Sequence, residues 1–242
     1  MRIGNFSAGA ASAVACALAK PERILYADTG SEDWDNERFR ADCERKLFSV
    51  PVEVVRSAKY GSTWETWEGE RYLAGVAGAP CTRFLKHRPL RAAVNHPHDV
   101  IIIGYTVEEG ARAAHLDEIG DERFEYPLIE RGITKDGARA LLARWGIREP
   151  RVYGMGFGHA NCIPCCKASS GDYWQRIRKY FPAEFERYAQ AEERSFQRGR
   201  RRGQVYWSGE YMTLRELPVA EPKGVGEVPA CDFLCQIAAD AK

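Results

Sequence analysis

The chain has 242 residues, long enough for one large α/β domain or for a domain with an appended subdomain. Its 45% hydrophobic and 29% charged residues exclude a disordered or collagen-like chain, and a net charge of +1 argues against a protein built chiefly to bind polyanions. No apolar run approaches the roughly 18 residues of a bilayer span, so no membrane partner is expected.

In chain order, "MRIGNF" reads as a short strand and "ASAVACALAK" as a small-residue helix closing at Pro21. This apolar start carries helical periodicity and leads into a strand, so it belongs to the fold and not to a signal peptide. "RILYADTG" is a second strand ending in a polar turn, followed by a charged helix, "DNERFRADCERKLF", with Asp33 or Asp35 as candidate cap. "PVEVVRS" and "DVIIIGYT" supply a third and a fourth strand. Near-continuous apolar strands separated by helices predict a doubly wound, mostly parallel α/β sheet covered on both faces. "TKDGARALLARWGI" reads as a helix capped by Thr134, and "GDYWQRIRKYFPAEFERYAQAEERSFQ" as two helices broken near Pro182. Beyond about residue 195 the pattern loosens into a basic loop, a short hairpin, a Pro/Gly linker and an irregular tail, "CDFLCQIAADAK". The expected division is a nucleotide-binding domain over 1–195 and a C-terminal extension over 196–242.

In open parallel sheets, ligands sit at the carboxyl ends of strands. "FSAGAAS" follows the first strand and opens a helix, so Ser7, Ala8, Gly9 and Ser12 can bring backbone N–H groups and hydroxyls to an anion, or can simply form a tight turn packed by alanines. "ADTGSEDWDN" follows the second strand and places Asp28, Thr29 and Gly30 where a carboxylate meets ribose or adenine. "GAPCTRFLKHRPLRAA" sets Cys81 before Arg83, Lys86, His87, Arg88 and Arg91; read as a helix, these cations lower the thiol pKa and attract anions, or form a solvated basic face.

Eight cysteines in clusters, with nothing that marks export, point to metal or redox chemistry in a cytoplasmic protein and not to structural bridges. "GHANCIPCCKASSG" puts Cys162, Cys165 and Cys166 within five positions. Three uses compete for them: a metal, a redox couple, or small buried side chains. Adjacent Cys165 and Cys166 strain to face one ion, which favours Cys81, Cys162 and Cys165 as a three-thiolate set. Thiolates suit an iron–sulfur centre or zinc alike. Cys231 and Cys235 form a second pair at helical spacing, and Cys16 and Cys43 read as core.

Taken in order, these stretches resemble the phosphoadenosine phosphosulfate (PAPS) reductase family of the PP-loop, adenine nucleotide alpha-hydrolase-like superfamily. "FSAGAASAV" falls where that superfamily has its Ser-Gly-Gly-x-Asp-Ser loop, and "YADTGSEDWDNERF" matches its Asp-Thr-Gly segment. "IIGYTVEEGAR" lies at the Gly-x-Arg strand end, "YPLIERGITKDGARALLARWGI" at the Pro-Leu stretch, and "GMGFGHANCIPCC" at the Gly-Cys-x-x-Cys segment. "CTRFLKHRPL" resembles the Cys-Cys-Arg-x-x-Lys-x-x-Pro-Leu motif of cluster-containing adenylylsulfate reductases. The resemblance implies an adenine nucleotide held by Ser7–Ser12, Asp28–Gly30, Gly104, Arg83 and Arg112, a [4Fe–4S] cluster near Cys81, and Lys86 between cluster and substrate. The departures are specific. Ala11 replaces the Asp of the ATP-hydrolysing loop, Thr82 replaces one tandem cysteine, and the Glu-Cys-Gly-x-His nucleophile motif is absent. Cys231 or Cys235 stands in for that nucleophile by position alone.

The implied activity is thiol-dependent reduction of PAPS or adenylylsulfate to sulfite, with a thioredoxin-like electron donor. The alternative is an iron–sulfur-dependent, ATP-using sulfurtransferase that thiolates a nucleic acid gripped by "RGRRRG" (198–203) beside Tyr206 and Trp207. A non-catalytic nucleotide-binding module with a structural metal is the third reading.

Overall fold

The computed structural model describes residues 1–75, 78–94, 98–118, 123–199 and 202–224; Cys231 and Cys235 lie outside the described residues. Two compact units form from interleaved segments. The first comprises Met1–Asp28, Trp34–Ala58 and Leu85–Pro150; the second comprises Thr29–Asp33, Lys59–Phe84 and the chain from Arg151 onward.

The first unit is an α/β sheet of five parallel strands, β1 (Arg2–Asn5), β2 (Arg23–Ala27), β3 (Val52–Val55), β4 (Val100–Ile102) and β5 (Phe124–Glu125), in the order β3-β2-β1-β4-β5. The register sets Ile3 between Arg23 on one side and Ile101 on the other. Connections run outward from β1 in both directions, and right-handed crossovers then place helices on opposite faces. This is the doubly wound arrangement expected from the alternating pattern.

Helix α1 (Ala10–Ala19) lies close on β1 because its buried face is small: a Cβ on Gly4 would stand 2.7 Å from Cys16 Sγ. Both predicted core cysteines are sealed in, Cys16 at 1% and Cys43 at 0% exposure. Burial pushes the Cys43 thiol up to about 12 and Cys16 higher still, because a thiolate is poorly solvated there. Helix α2 (Asp35–Lys46) begins after Trp34, and at its start Asp33 accepts Arg151 and Asp35 accepts Arg38. The segment after Cys81 is a π-helical turn (Thr82–His87) followed by α4 (Arg88–Ala92), not one regular helix. A 3-10 turn (Val107–Glu109) leads into α5 (Gly110–Glu118); α6 (Pro127–Glu130) and α7 (Lys135–Arg144) complete the unit, with Thr134 capping α7 through Gly137 N–H at 3.0 Å.

The second unit is built on aromatics. Helix α3 (Thr63–Glu70) packs Trp64 and Trp67 edge-to-face, and α9 (Gly171–Tyr180) and α10 (Pro182–Gln197) bring Trp174 and Tyr188 against them; α8 (Arg151–Gly154) precedes both. Such contacts add about 0.5–1.5 kcal/mol each beyond area burial. The predicted hairpin forms as β6 (Val205–Trp207) and β7 (Glu210–Met212). It is fastened by Glu192, 1% exposed, whose two carboxylate oxygens accept from Gln204 N–H at 2.6 Å and Leu214 N–H at 2.7 Å.

Candidate functional site

In the first unit, strand order reverses between β1 and β4, so the loops leaving those strands border the crevice where ligands of such sheets bind. The loop after β1 is tight. Ser7 N–H and Oγ both donate to Ser12 Oγ at 3.1 Å, and Ser12 Oγ donates to Gly9 O at 3.0 Å. Ala8 sits at φ +54°, a left-handed conformation that a non-glycine residue adopts at a cost of about 1–2 kcal/mol. Gly9 caps α1 without a side-chain hydrogen bond. Across the switch point, Gly104 approaches the start of α1 so closely that a Cβ would stand 2.6 Å from Ser12 Cα. Ser7, Ala8, Gly9, Ser12 and Gly104 thus belong to one locus, with the open end of α1 inside it.

Arg112, from α5, lies over the Tyr105 ring at 4.4 Å and pairs with Glu109, whose carboxylate also closes a capping box with Thr106. That pairing fixes the guanidinium near the end of β4. Asp28 receives Arg56 at 2.8 Å, and its N–H donates to Val55 O. Lys86 also falls in this unit.

Thr29, Gly30, Arg83, Cys81, Cys162 and Cys165 fall in the second unit. Thr29 is 1% exposed, and its hydroxyl meets Cys162 Sγ at 3.1 Å. Cys81, Cys162, Cys165 and Cys166 line one small pocket, together with Thr63 and Trp67. Cys81 Sγ lies 3.6 Å from Cys166 Sγ, although 85 positions separate them. Cys165 and Cys166 therefore share the pocket despite being adjacent, and Cys166 is the thiol that sequence reasoning set aside.

The loop carrying these sulfurs is anchored on every side by buried groups. Ile163 N–H donates to Ser31 O at 2.7 Å, Cys165 N–H to Tyr173 Oη at 2.6 Å, and Gln204 Nε2 to Cys166 O at 2.9 Å. Burial, and then the neighbouring thiols, push the Tyr173 phenol well above its ordinary range, which keeps it neutral. A bidentate pair, Arg151 on the buried carboxylate of Asp33 at 2.7 and 2.8 Å, ties the Thr29–Asp33 segment to α8.

By donor chemistry the pocket fits a thiolate-held centre. Four sulfurs face it, and two buried N–H donors on its wall, Trp67 Nε1 and Asn161 Nδ2, have no hydrogen-bond partner among the described residues. Thiolate or sulfide acceptors would satisfy them. The 3.6 Å spacing of Cys81 and Cys166 is near the separation of about 3.8 Å that two thiolates take on one tetrahedral zinc with Zn–S of about 2.3 Å. Among the described residues, no three His, Cys, Asp or Glu side chains converge on a single point, so geometry defines a pair and the remaining ligands follow only from sharing the pocket.

The α/β protein thus carries a switch-point crevice in one unit and a pocket lined by four cysteines in the other. Among solved structures, the chain is similar to phosphoadenylyl-sulfate (PAPS) reductase from Candida auris, in a phosphate complex, at 12% identity over 66% of this chain and 80% of that chain, with a TM-score of 0.46. No protein-family model and no curated protein matches the sequence. No helix among the described residues is long and apolar enough to cross a membrane.

Proposed function

We propose that this chain is an enzyme of sulfur metabolism that reduces an adenylyl sulfonucleotide, PAPS or adenylylsulfate, to sulfite in the cytoplasm, drawing electrons from a thioredoxin-like dithiol. The observation that carries the reading is the gathering of four cysteines from two distant stretches into one pocket, with Thr29 of the Asp-Thr-Gly segment touching Cys162. The Ser7–Ser12 loop, with the open end of α1, and Arg112 supply the cationic and N–H environment that a nucleotide phosphate or sulfate needs. Asp28, one peptide bond before Thr29, serves the ribose or base.

Cys81, Cys162 and Cys165 would hold a [4Fe–4S] cluster, or zinc, which would supply electron-transfer or Lewis-acid chemistry at the thiol pocket. In the reaction, a cysteine thiolate, from Cys231 or Cys235, attacks the sulfonate sulfur. The sulfur–oxygen bond to the nucleotide breaks, and the phosphate leaves with the electron pair. A thiolate of the electron donor then attacks the cysteine sulfur of the S-sulfo adduct; sulfite departs and a mixed disulfide forms, which the donor's second thiol resolves as its pair is oxidised. Lys86, Arg83 and Arg112 stabilise the developing anions.

Incubation with each sulfonucleotide, thioredoxin and its reductase should release sulfite in step with nucleotide product. Absence of sulfite with both donors would overturn the reading. Thiolated nucleosides in digested nucleic acid, formed only with ATP, would assign the same thiols to sulfur transfer instead.

A further inference from the structure

The second unit carries another pocket, with a different chemistry. Helices α3 and α10 face each other across about 460 Å³ of open space, walled by Trp64, Trp67 and Tyr72 and rimmed by Arg71, Arg194 and Arg198. Arg187, about two turns N-terminal of Arg194 on α10, lies over the Trp64 ring at 4.2 Å. On α10, Arg187 and Arg194 are seven positions apart, which sets them within about 20° of one line and roughly 10 Å apart, and Arg198 caps the C-terminal end of the helix.

These guanidiniums lack carboxylate partners among the described residues, whereas Arg2, Arg23, Arg38, Arg151 and Arg215 each hold one. The contrast is sharpest on α10 itself, where Glu186 and Glu193 are both taken by Arg215. Glu68 is the carboxylate on the pocket wall, against three arginines. Like charges at helical i, i+4 spacing, as in Arg194 and Arg198, destabilise a helix unless an anion lies between them. Tyr72, 38% exposed, lies in the pocket wall, and the hairpin of the same unit exposes Tyr206 at 49% and Tyr211 at 45%, with Arg202 over the Tyr211 ring at 4.1 Å.

We propose that this face binds single-stranded nucleic acid, with Arg71, Arg187, Arg194 and Arg198 on successive phosphates and Tyr72 at the pocket mouth stacking on a base. A row of cations this long exceeds the reach of one phosphate group, and alternating guanidinium and aromatic surface is what an unpaired strand offers contacts to. Trp67 lines both this pocket and the thiol pocket, so a strand held here would lie against the wall of the sulfur site. The inference depends on no particular reaction at the thiols.

The test is fluorescence anisotropy of the full chain with labelled oligo-dT and oligo-U of about 12 nucleotides, within the site sizes single strands occupy. Affinity should fall between about 50 and about 200 mM salt, with a log–log slope of about −2 to −3 for three or four phosphate contacts. The double variant Arg194→Gln, Arg198→Gln should bind at least about tenfold more weakly and lose about 1.4 from the slope, two contacts at about 0.7 each, with its circular dichroism unchanged. Arg45→Gln, an exposed arginine of the first unit, should bind as the parent does. Absence of binding at the lower salt, a double variant as tight as the parent, equal affinity for a duplex, or equal displacement by polyglutamate or by inorganic phosphate would each overturn the proposal. Because no adenine nucleotide is added, failure here leaves the sulfite assay to judge the proposed reaction separately.

Discussion

Gly30 offers the sharpest test of the site's construction. Its φ is +61°, and a Cβ there would stand 1.9 Å from Gly61 O and 3.1 Å from Gly61 C. In Gly30→Ala the left-handed backbone costs about 1–2 kcal/mol, and forcing a methyl group against a fixed carbonyl costs about 1–3 kcal/mol more, so the total is roughly 2–5 kcal/mol. Gly146→Ala is the control: φ is +68°, with nothing within 4 Å of the added carbon, which leaves only the backbone cost of about 1–2 kcal/mol. Urea unfolding followed by tryptophan fluorescence gives both values. If the units unfold separately, Gly30→Ala should move the transition of the tryptophan-rich second unit and Gly146→Ala that of the first. Because Gly30 follows Thr29, whose hydroxyl touches Cys162, the substitution should also weaken metal retention by the thiol pocket. A Gly30→Ala protein no less stable than Gly146→Ala would refute the packing of this segment against Gly61.

Three further outcomes follow from the geometry. Tyr173→Phe removes the hydroxyl that accepts Cys165 N–H at 2.6 Å, which should cost about 1–3 kcal/mol in urea unfolding; an unchanged midpoint would contradict that bond. Burial raises the thiols of Cys16 and Cys43, so their reactive thiolates form only at pH well above the ordinary thiol value of about 8.5. Iodoacetamide near that pH should leave both unmodified in the folded chain, as read by peptide mass spectrometry, and labelling of either would place it nearer the surface. Arg112→Ala should weaken adenylyl sulfonucleotide binding about 10–100-fold, the worth of a charge-assisted hydrogen bond, in calorimetric titration; unaltered affinity would move the anion away from Arg112.

The sheet was legible because β1, β2 and β4 are short apolar runs followed by turn chemistry. The two residues of β5 were not, since a strand of Phe124–Glu125 has no period to detect and exists only through pairing with Ile101 and Ile102. Helix α3 escaped notice because its apolar positions are two tryptophans among polar residues. A local signal was nevertheless present: Ser62 and Glu65 stand at capping-box spacing, with Ser62 Oγ accepting Glu65 N–H at 3.1 Å and Glu65 accepting Gly61 N–H at 2.8 Å. The interleaving of the two units could not be read from the chain, because each is assembled from three separate stretches whose contacts are tertiary.

At the site, local spacing flagged the cysteines, and the structure adds Cys166 to the lining of the same pocket. Strain between adjacent residues was argued from an idealised chain, whereas the anchored loop around Pro164 turns both Cys165 and Cys166 to the same pocket. The contact of the Thr29 hydroxyl with Cys162 was not legible from spacing, since 133 positions separate the two residues. The arginine line on α10 was present as simple helical spacing, but its lack of carboxylate partners became visible only once Arg215 was seen to occupy Glu186 and Glu193.

The central claim is that Cys81, from one stretch, and Cys162 and Cys165, from another some eighty positions away, hold one metal or sulfur centre in the pocket they share. Iron, zinc and acid-labile sulfide should be quantified on protein purified without oxygen, in the parent chain and in Cys81→Ser, Cys162→Ser and Cys43→Ser. The account predicts a bound centre in the parent that Cys43→Ser keeps and that both Cys81→Ser and Cys162→Ser lose. A parent chain carrying no metal or sulfide, or a centre that survives both pocket substitutions, would contradict it.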